Sequence, residues 1–230
     1  MSRGKKKALI IVVVVVVILL GLWIASEIVI PRIAASYITK EIQKRYPQAG
    51  EIDVSVSAFP AIKLAFKKYD KLHVEVSNIT LQDVNFDKIT LDSTKWPQGH
   101  FKAVITADEI VRFFSLTHSY VQESTLSMEG DKLRVRGKVN VAGVTVDVDA
   151  LGTLEPTAGK LVYFKPTQVN VSGISVPARG VALVNQVMLD SPVFVVREDL
   201  PYTITGIKVG GGMLLIEGDA NLEKALNIKL

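Results

Sequence analysis

The sequence predicts an α+β chain that carries an N-terminal transmembrane helix, and three observations lead there. Residues 8–26 form a nineteen-residue run without a charge. Beyond it, several segments alternate apolar and polar residues with the period of two expected of strands buried on one face. Between them lie stretches in which apolar residues recur at helical spacing.

Fourteen of the nineteen residues in the run are Val, Ile or Leu. At roughly −0.3 kcal/mol each or better near the membrane centre, they favour insertion by about 4 kcal/mol. As a helix the run spans roughly 28 Å, close to the thickness of a bilayer's hydrocarbon core. Six consecutive valines suit a strand in water, but a lone strand in lipid leaves its backbone groups unpaired, so the helix wins. Arg3, Lys5, Lys6 and Lys7 precede the run. By the positive-inside tendency the N-terminus stays in the cytoplasm and everything after Glu27 lies outside the plasma membrane. The competing reading is a cleaved secretory signal, which would leave a secreted protein. Against it, the run exceeds a usual signal core and Trp23 with Ala25 makes a poor small-x-small site; Ala34 and Ser36 fit better but lie beyond Glu27 and Arg32. The expected division is a basic flank and anchor over residues 1–30 and an extracytoplasmic domain over 31–230.

Lys plus Arg is 27 and Asp plus Glu is 23, and with the four cations before the anchor set aside the remainder balances. A neutral outer portion argues against nucleic acid, whose phosphates call for a concentrated basic face. The chain has no cysteine, which excludes disulfides, thiolate metal sites and thiol nucleophiles. His73, His100 and His118 lie far apart and form no zinc spacing. No metal or cofactor is expected.

In chain order, Pro31 suits the first turn of a new helix, in which Ile33, Ala34, Tyr37, Ile38 and Ile42 form an apolar stripe that ends near Tyr46 and Pro47. That stripe is expected to pack on the domain in preference to resting on the membrane surface. Ile52, Val54 and Val56 then alternate with Asp53, Ser55 and Ser57 as a strand. After Phe59 and Pro60 a short helix follows through Ile62, Leu64, Ala65, Phe66 and Tyr69. Leu72, Val74 and Val76 form the next strand, and its alternation points His73 to water. Val84, Phe86, Ile89 and Leu91 continue the strand pattern, and Thr106 with Glu109 reads as a capping box opening a helix over 107–119. Ile110, Phe113, Phe114 and Thr117 mark the buried side of that helix.

Strands over 133–141 and 144–150 flank a turn at Ala142 and Gly143, which sets Lys138 opposite Asp147 and Arg136 opposite Asp149. Asp147 and Asp149, roughly 6 to 7 Å apart on one strand face, otherwise resemble a carboxylate pair for glycoside hydrolysis. With cations available across the hairpin, solvated ion pairs are the better account. Strands over 160–164 and 167–171 precede a helical stretch over 179–189 bearing Val181, Leu183, Val184, Val187 and Met188. A last hairpin, 203–209 with 213–220, turns at Gly210, Gly211 and Gly212. No Lys-Ser or Lys-Thr follows these glycines, so they form a turn that needs positive φ and not a phosphate loop.

The order of motifs resembles the LmeA-like phospholipid-binding family of bacterial envelope proteins. The resemblance rests on Phe59-Pro60 entering a short helix, the 107–119 helix, the hairpin VAGVTVDV, and Leu200-Pro201-Tyr202 before the closing hairpin. It covers roughly residues 34–225. It implies an elongated, strongly twisted antiparallel sheet rolled around two or three helices, similar to tubular lipid-binding domains, with acyl chains received between the helices and the inward sheet face. The partners implied are membrane phospholipids or glycolipids, and the implied role is non-catalytic binding or transfer in support of cell-envelope assembly. The long retained anchor is a feature of this chain and is not supplied by the family.

Phe66, Phe113, Phe114, Val184 and Val187, on helices expected to face the sheet, are the candidate lipid-binding residues; periodicity does not separate groove lining from plain core. The alternative function is a structural or protein-interaction domain of the envelope with a filled interior. An enzyme ranks third, since cysteine is absent, histidines are sparse and the carboxylates have cationic neighbours.

Overall fold

Without cysteine the chain has no disulfide crosslinks to hold it, so strand pairing and apolar burial must fix its shape. In this computed structural model, residues 3–66, 68–81, 83–110, 112, 121–141, 144–182, 192–196 and 200–226 are described. One helix, α1, runs unbroken over Arg3–Arg45 with Pro31 inside it. The sequence places a new helix at Pro31; the structure carries one helix through it. Proline removes a single backbone donor. The apolar run on one side and domain packing on the other hold the helical path across that gap.

Among the described residues, α1 supplies the one helix long and apolar enough to cross a membrane, and its apolar window is not buried against the domain. Farther along, Ile38 and Ile42 are buried in the domain core, while Ile33 and Tyr37 of the expected stripe stay exposed. The packed stripe is therefore narrower than the periodicity suggests.

Twelve strands are described. They are β1 (Ile52–Ser57), β2 (Lys71–Leu81), β3 (Val84–Lys95), β4 (Gln98–Thr106), β5 (Val121–Glu129) and β6 (Lys132–Val141). Then come β7 (Val144–Thr157), β8 (Leu161–Val171), β9 (Ile174–Ser175), β10 (Phe194–Val195), β11 (Tyr202–Gly210) and β12 (Met213–Asn221). A 3₁₀ turn, Ala61–Phe66, follows β1, and a short helix, Leu222–Leu226, follows β12.

The family resemblance implies one sheet; the strands divide into two open antiparallel ones. The first has the order β1-β2-β3-β4-β12-β11, and the second β10-β8-β7-β6-β5 with β9 on β8. On the inner face of the first sheet Val74 lies opposite Leu91, Leu91 opposite Phe101, Ile89 opposite Ala103, and Ala103 opposite Ile216. On its outer face His73, Asp92, His100 and Asp219 form one row across four strands, with His73 Nδ1 2.8 Å from Asp92 Oδ1. Asn78, at φ 50°, resets the alternation in β2 so that Ile79 faces inward.

β4 and β5 add to the strands that periodicity predicts. β8 joins the two segments expected at 160–164 and 167–171, and Pro166 sits inside it. That is possible because Gly152, opposite Pro166 at a register shift, has no side chain: a Cβ there would lie 2.3 Å from the Lys165 carbonyl oxygen and 2.7 Å from Pro166 Cα. The β6–β7 hairpin has the anticipated register, Arg136 opposite Asp149 and Lys138 opposite Asp147. Its turn residues 142 and 143 lie outside the described residues. The β11–β12 hairpin turns at Gly211 and Gly212, with φ of 61° and 75°, as two-residue hairpin loops of this kind require.

Residues 107–110 and 112 are helical, but the expected capping box does not form around Glu109. Thr106 ends β4 opposite Met213, and the Ala107 amide donates to the Gly212 carbonyl at 3.0 Å. The Glu109 carboxylate accepts instead from the Asn85 amide at 2.7 Å, from Asn85 Nδ2 at 3.1 Å and from the Arg112 guanidinium. Of the 179–189 stretch, residues 179–182 are described and helical. The sheets meet where the Ile204 amide donates to the Gly159 carbonyl at 2.8 Å and Lys160 Nζ to the Leu200 carbonyl at 2.7 Å.

Candidate functional site

The inner face of the first sheet is not filled by its own side chains. A cavity of about 480 Å³ lies against it, within the size range of small-molecule sites. Val74, Val76 and Ile79 line it from β2, Phe86, Ile89 and Leu91 from β3, and Phe101 with Ala103 from β4. The rest of the lining comes from Ile42 and Tyr46 at the end of α1, from Phe194 and Val196, and from Leu200, Pro201 and Tyr202. Leu222 and Ala225 of the C-terminal helix close one side.

These positions follow from local sequence. Strand alternation sends every second residue inward, and the small Ala103 leaves room in the lining where a larger residue would fill the space. Phe101 and Tyr202 meet edge to face at 5.7 Å. Burial pushes the Tyr202 phenol up to about 12, so it is a neutral wall at physiological pH.

Polar groups gather at the rim. Arg45 and Lys224 are exposed and line the cavity, Arg45 Nη1 donates to the Ala225 carbonyl at 3.1 Å, and its guanidinium lies 5.9 Å from the Tyr46 ring centroid. No acidic residue is among the lining residues described. The arrangement offers apolar volume inside and two cations at the edge, which is the chemistry of an acyl chain joined to an anionic group.

A second depression, on the second sheet, has the polar side chains Arg136, Lys138, Asp147, Asp149 and Asn170 in its lining. Asp149 receives Arg134 Nε at 2.8 Å and Arg136 Nε at 3.2 Å. Burial raises its pKa, and the hydrogen bonds from Arg134 and Arg136 outweigh that, leaving the carboxyl below its ordinary range. Asp149 is thus built into cross-strand ion pairing, while Asp147 faces Lys138 in register across the same hairpin. Among the described residues, no group of three or more His, Asp or Glu side chains is placed to hold a metal ion.

Of the five candidates read from sequence, Phe66 does not line the cavity. It is 71% exposed on the 3₁₀ turn, because Ala61 takes the inward position there. Phe113, Phe114, Val184 and Val187 lie outside the described residues. Strand periodicity does mark Val74, Val76, Phe86, Ile89 and Leu91 as inward without distinguishing cavity from core. Phe101 and Ala103 were missed with β4, although Gly99, Phe101, Ala103 and Ile105 alternate cleanly.

Fold and site together define a binding domain with an apolar interior, continuous with a helix able to span a membrane. The family is specific: the model for LmeA-like phospholipid-binding proteins matches residues 25–219, and the chain belongs to that family. No curated protein and no solved structure matches it.

Proposed function

We propose that this protein is a membrane-anchored, non-catalytic carrier that binds and transfers phospholipid or glycolipid at the outer face of the plasma membrane, in support of cell-envelope assembly. The observation that carries this reading is the apolar cavity under the first sheet, with Arg45 and Lys224 at its rim. Residues 1–30 act as cytoplasmic flank and retained anchor, and residues 31–230 as the extracytoplasmic domain. The sheets, with the helices that begin near 107 and 178, form the roll that encloses the acyl chain.

Energetics suit a carrier. A sixteen-carbon acyl chain gains about 13 kcal/mol on leaving water, at about 0.8 kcal/mol per methylene, but little on moving from bilayer to an equally apolar cavity. Exchange between the two is near balance and needs no nucleotide. Arg45 and Lys224 supply phosphate recognition, and the apolar wall accepts chains of varied structure.

The test is lipid extraction from the full-length protein followed by mass spectrometry, with uptake of a fluorescent phosphatidylglycerol measured in parallel. Bound lipid and uptake are expected, and Ala103→Trp, which projects an indole into the cavity, abolishes both while the protein stays folded. Lipid-free preparations that take up no probe refute the reading. Unchanged uptake by a folded Ala103→Trp protein refutes the cavity as its site.

A further inference from the structure

A second apolar surface lies apart from the cavity, where the chain leaves β1. Phe59, Ile62 and Phe66 are exposed by 63%, 58% and 71%, while Ala61 between them is fully buried. The loop that presents them is held closed: the Phe59 amide donates to Asp70 Oδ2 at 2.6 Å, Lys63 Nζ lies 3.2 Å from Asp70 Oδ1, and the Asp70 amide donates to the Ser57 carbonyl at 2.8 Å. Three large apolar side chains fixed outward in water carry a cost that a monomeric soluble surface has no reason to bear.

The position of this loop says what covers it. The Ala61 amide donates to Glu27 Oε2 at 2.8 Å, and the Phe59 ring meets Trp23 edge-on with centroids 6.1 Å apart. Glu27 is the first charged residue after the apolar run, and Trp23 lies about one turn, roughly 6 Å, toward the membrane centre. Tryptophan gathers at the membrane–water boundary. A loop bonded to Glu27 and in edge contact with Trp23 therefore sits at the level where α1 leaves the hydrocarbon. Exposed Lys68 and Lys71 stand beside it, matching anionic headgroups.

We propose that Phe59, Ile62 and Phe66 insert into the headgroup–acyl boundary of the leaflet from which α1 emerges, as a second membrane contact that sets the domain's orientation. Interfacial apolar faces settle about 5–10 Å into that boundary, a depth these side chains reach from the level of Glu27. The contact rests on α1 spanning the bilayer and is independent of what occupies the cavity.

The chain has no cysteine, so single sites can be labelled cleanly. Full-length Ile62→Cys and Phe66→Cys, each carrying a nitroxide, are placed in vesicles of phosphatidylethanolamine and phosphatidylglycerol. Ile174→Cys serves as the reference, since Ile174 is 74% exposed on the second sheet. At 62 and 66, collisions with dissolved oxygen are expected to exceed those with an aqueous nickel chelate, and at 174 the order reverses. Nickel access at 62 and 66 equal to that at 174 overturns the proposal, as does shielding from both reagents, which would place a protein contact there. Because all three sites are exposed, labelling leaves the core intact, and either of the two test positions suffices if the other fails to fold.

Discussion

The two sheets are written in the same alternating code, yet their apolar faces meet different fates. Among the described residues, the core that includes the first sheet's inner face gathers twenty buried apolar side chains, and that of the second gathers four, Leu133, Ala150, Phe164 and Val169. Ile38 and Ile42 of α1, Leu222 of the C-terminal helix and Val162 and Val196 from the second sheet's side all contribute to the first. They stand off far enough to leave a cavity. Strand period thus fixes which face is apolar, while the covering elements decide whether that face becomes packed core or open volume.

The strongest challenge to this contrast comes from the two glycines that permit close backbone approach, one in each sheet. A Cβ on Gly152 would lie 2.3 Å from the Lys165 carbonyl oxygen, and one on Gly218 would lie 2.2 Å from the Thr203 carbonyl oxygen. Gly152→Ala and Gly218→Ala should each destabilise by about 4 kcal/mol or more, read by denaturant unfolding. A mild effect at Gly152 alone would show that the second sheet yields where the first does not.

Next in size are matched cavity-forming substitutions. Leu72 in the first sheet and Leu133 in the second are both 2% exposed, so Leu72→Ala and Leu133→Ala should each cost about 3 kcal/mol. A Leu133→Ala loss below about 1 kcal/mol would demote the second cluster from core to contact.

Glu109 sharpens the comparison at the end of the first sheet. The hydrogen bonds from Arg112, opposed by burial and aided by Asn85, lower its pKa from 4.5 to about 2. A carboxyl depressed on folding contributes stability that is fully present above its unfolded value and lost as pH falls through the folded one. Glu109→Gln should therefore cost about 2 kcal/mol at neutral pH, with the gap to the parent closing between about pH 4.5 and 2 in pH-dependent melts. A gap that persists below pH 2 would assign the loss to packing.

The smallest effect belongs to the second sheet's polar face. Asp149→Asn removes the partly exposed carboxylate that Arg134 and Arg136 share and should cost about 1 kcal/mol or less. Lipid uptake should be unchanged, and its loss would move the functional site to that face.

The sequence made legible what depends on spacing alone. The anchor run, the β1, β2 and β3 alternation, the β6–β7 register and the positive-φ glycine turn all follow from local rules. Pro31 misled because a proline's own preference for a first turn was outweighed by helix on both sides. The Thr106–Glu109 pair misled because Asn85 and Arg112, 24 residues away and one turn on, compete for the same carboxylate. The cavity was illegible for a different reason. Tyr202, Phe101 and Ile42 come together only through the closing of strands far apart in sequence, and an inward side chain reads alike whether it meets another side chain or empty space.

An unbroken α1 also sets a distance. From Glu27 to Ile42 the helix rises roughly 22 Å, so the cavity wall stands at a fixed height above the point where the chain leaves the apolar run. A flexible linker of equal residue count would let the domain sample a broad volume; a helix confines it to one altitude and one heading. Rotation is tied to length in such a rod, about 100° for each residue added. Two residues inserted after Pro31 would turn the cavity to nearly the opposite side of the stalk while lifting it by only about 3 Å.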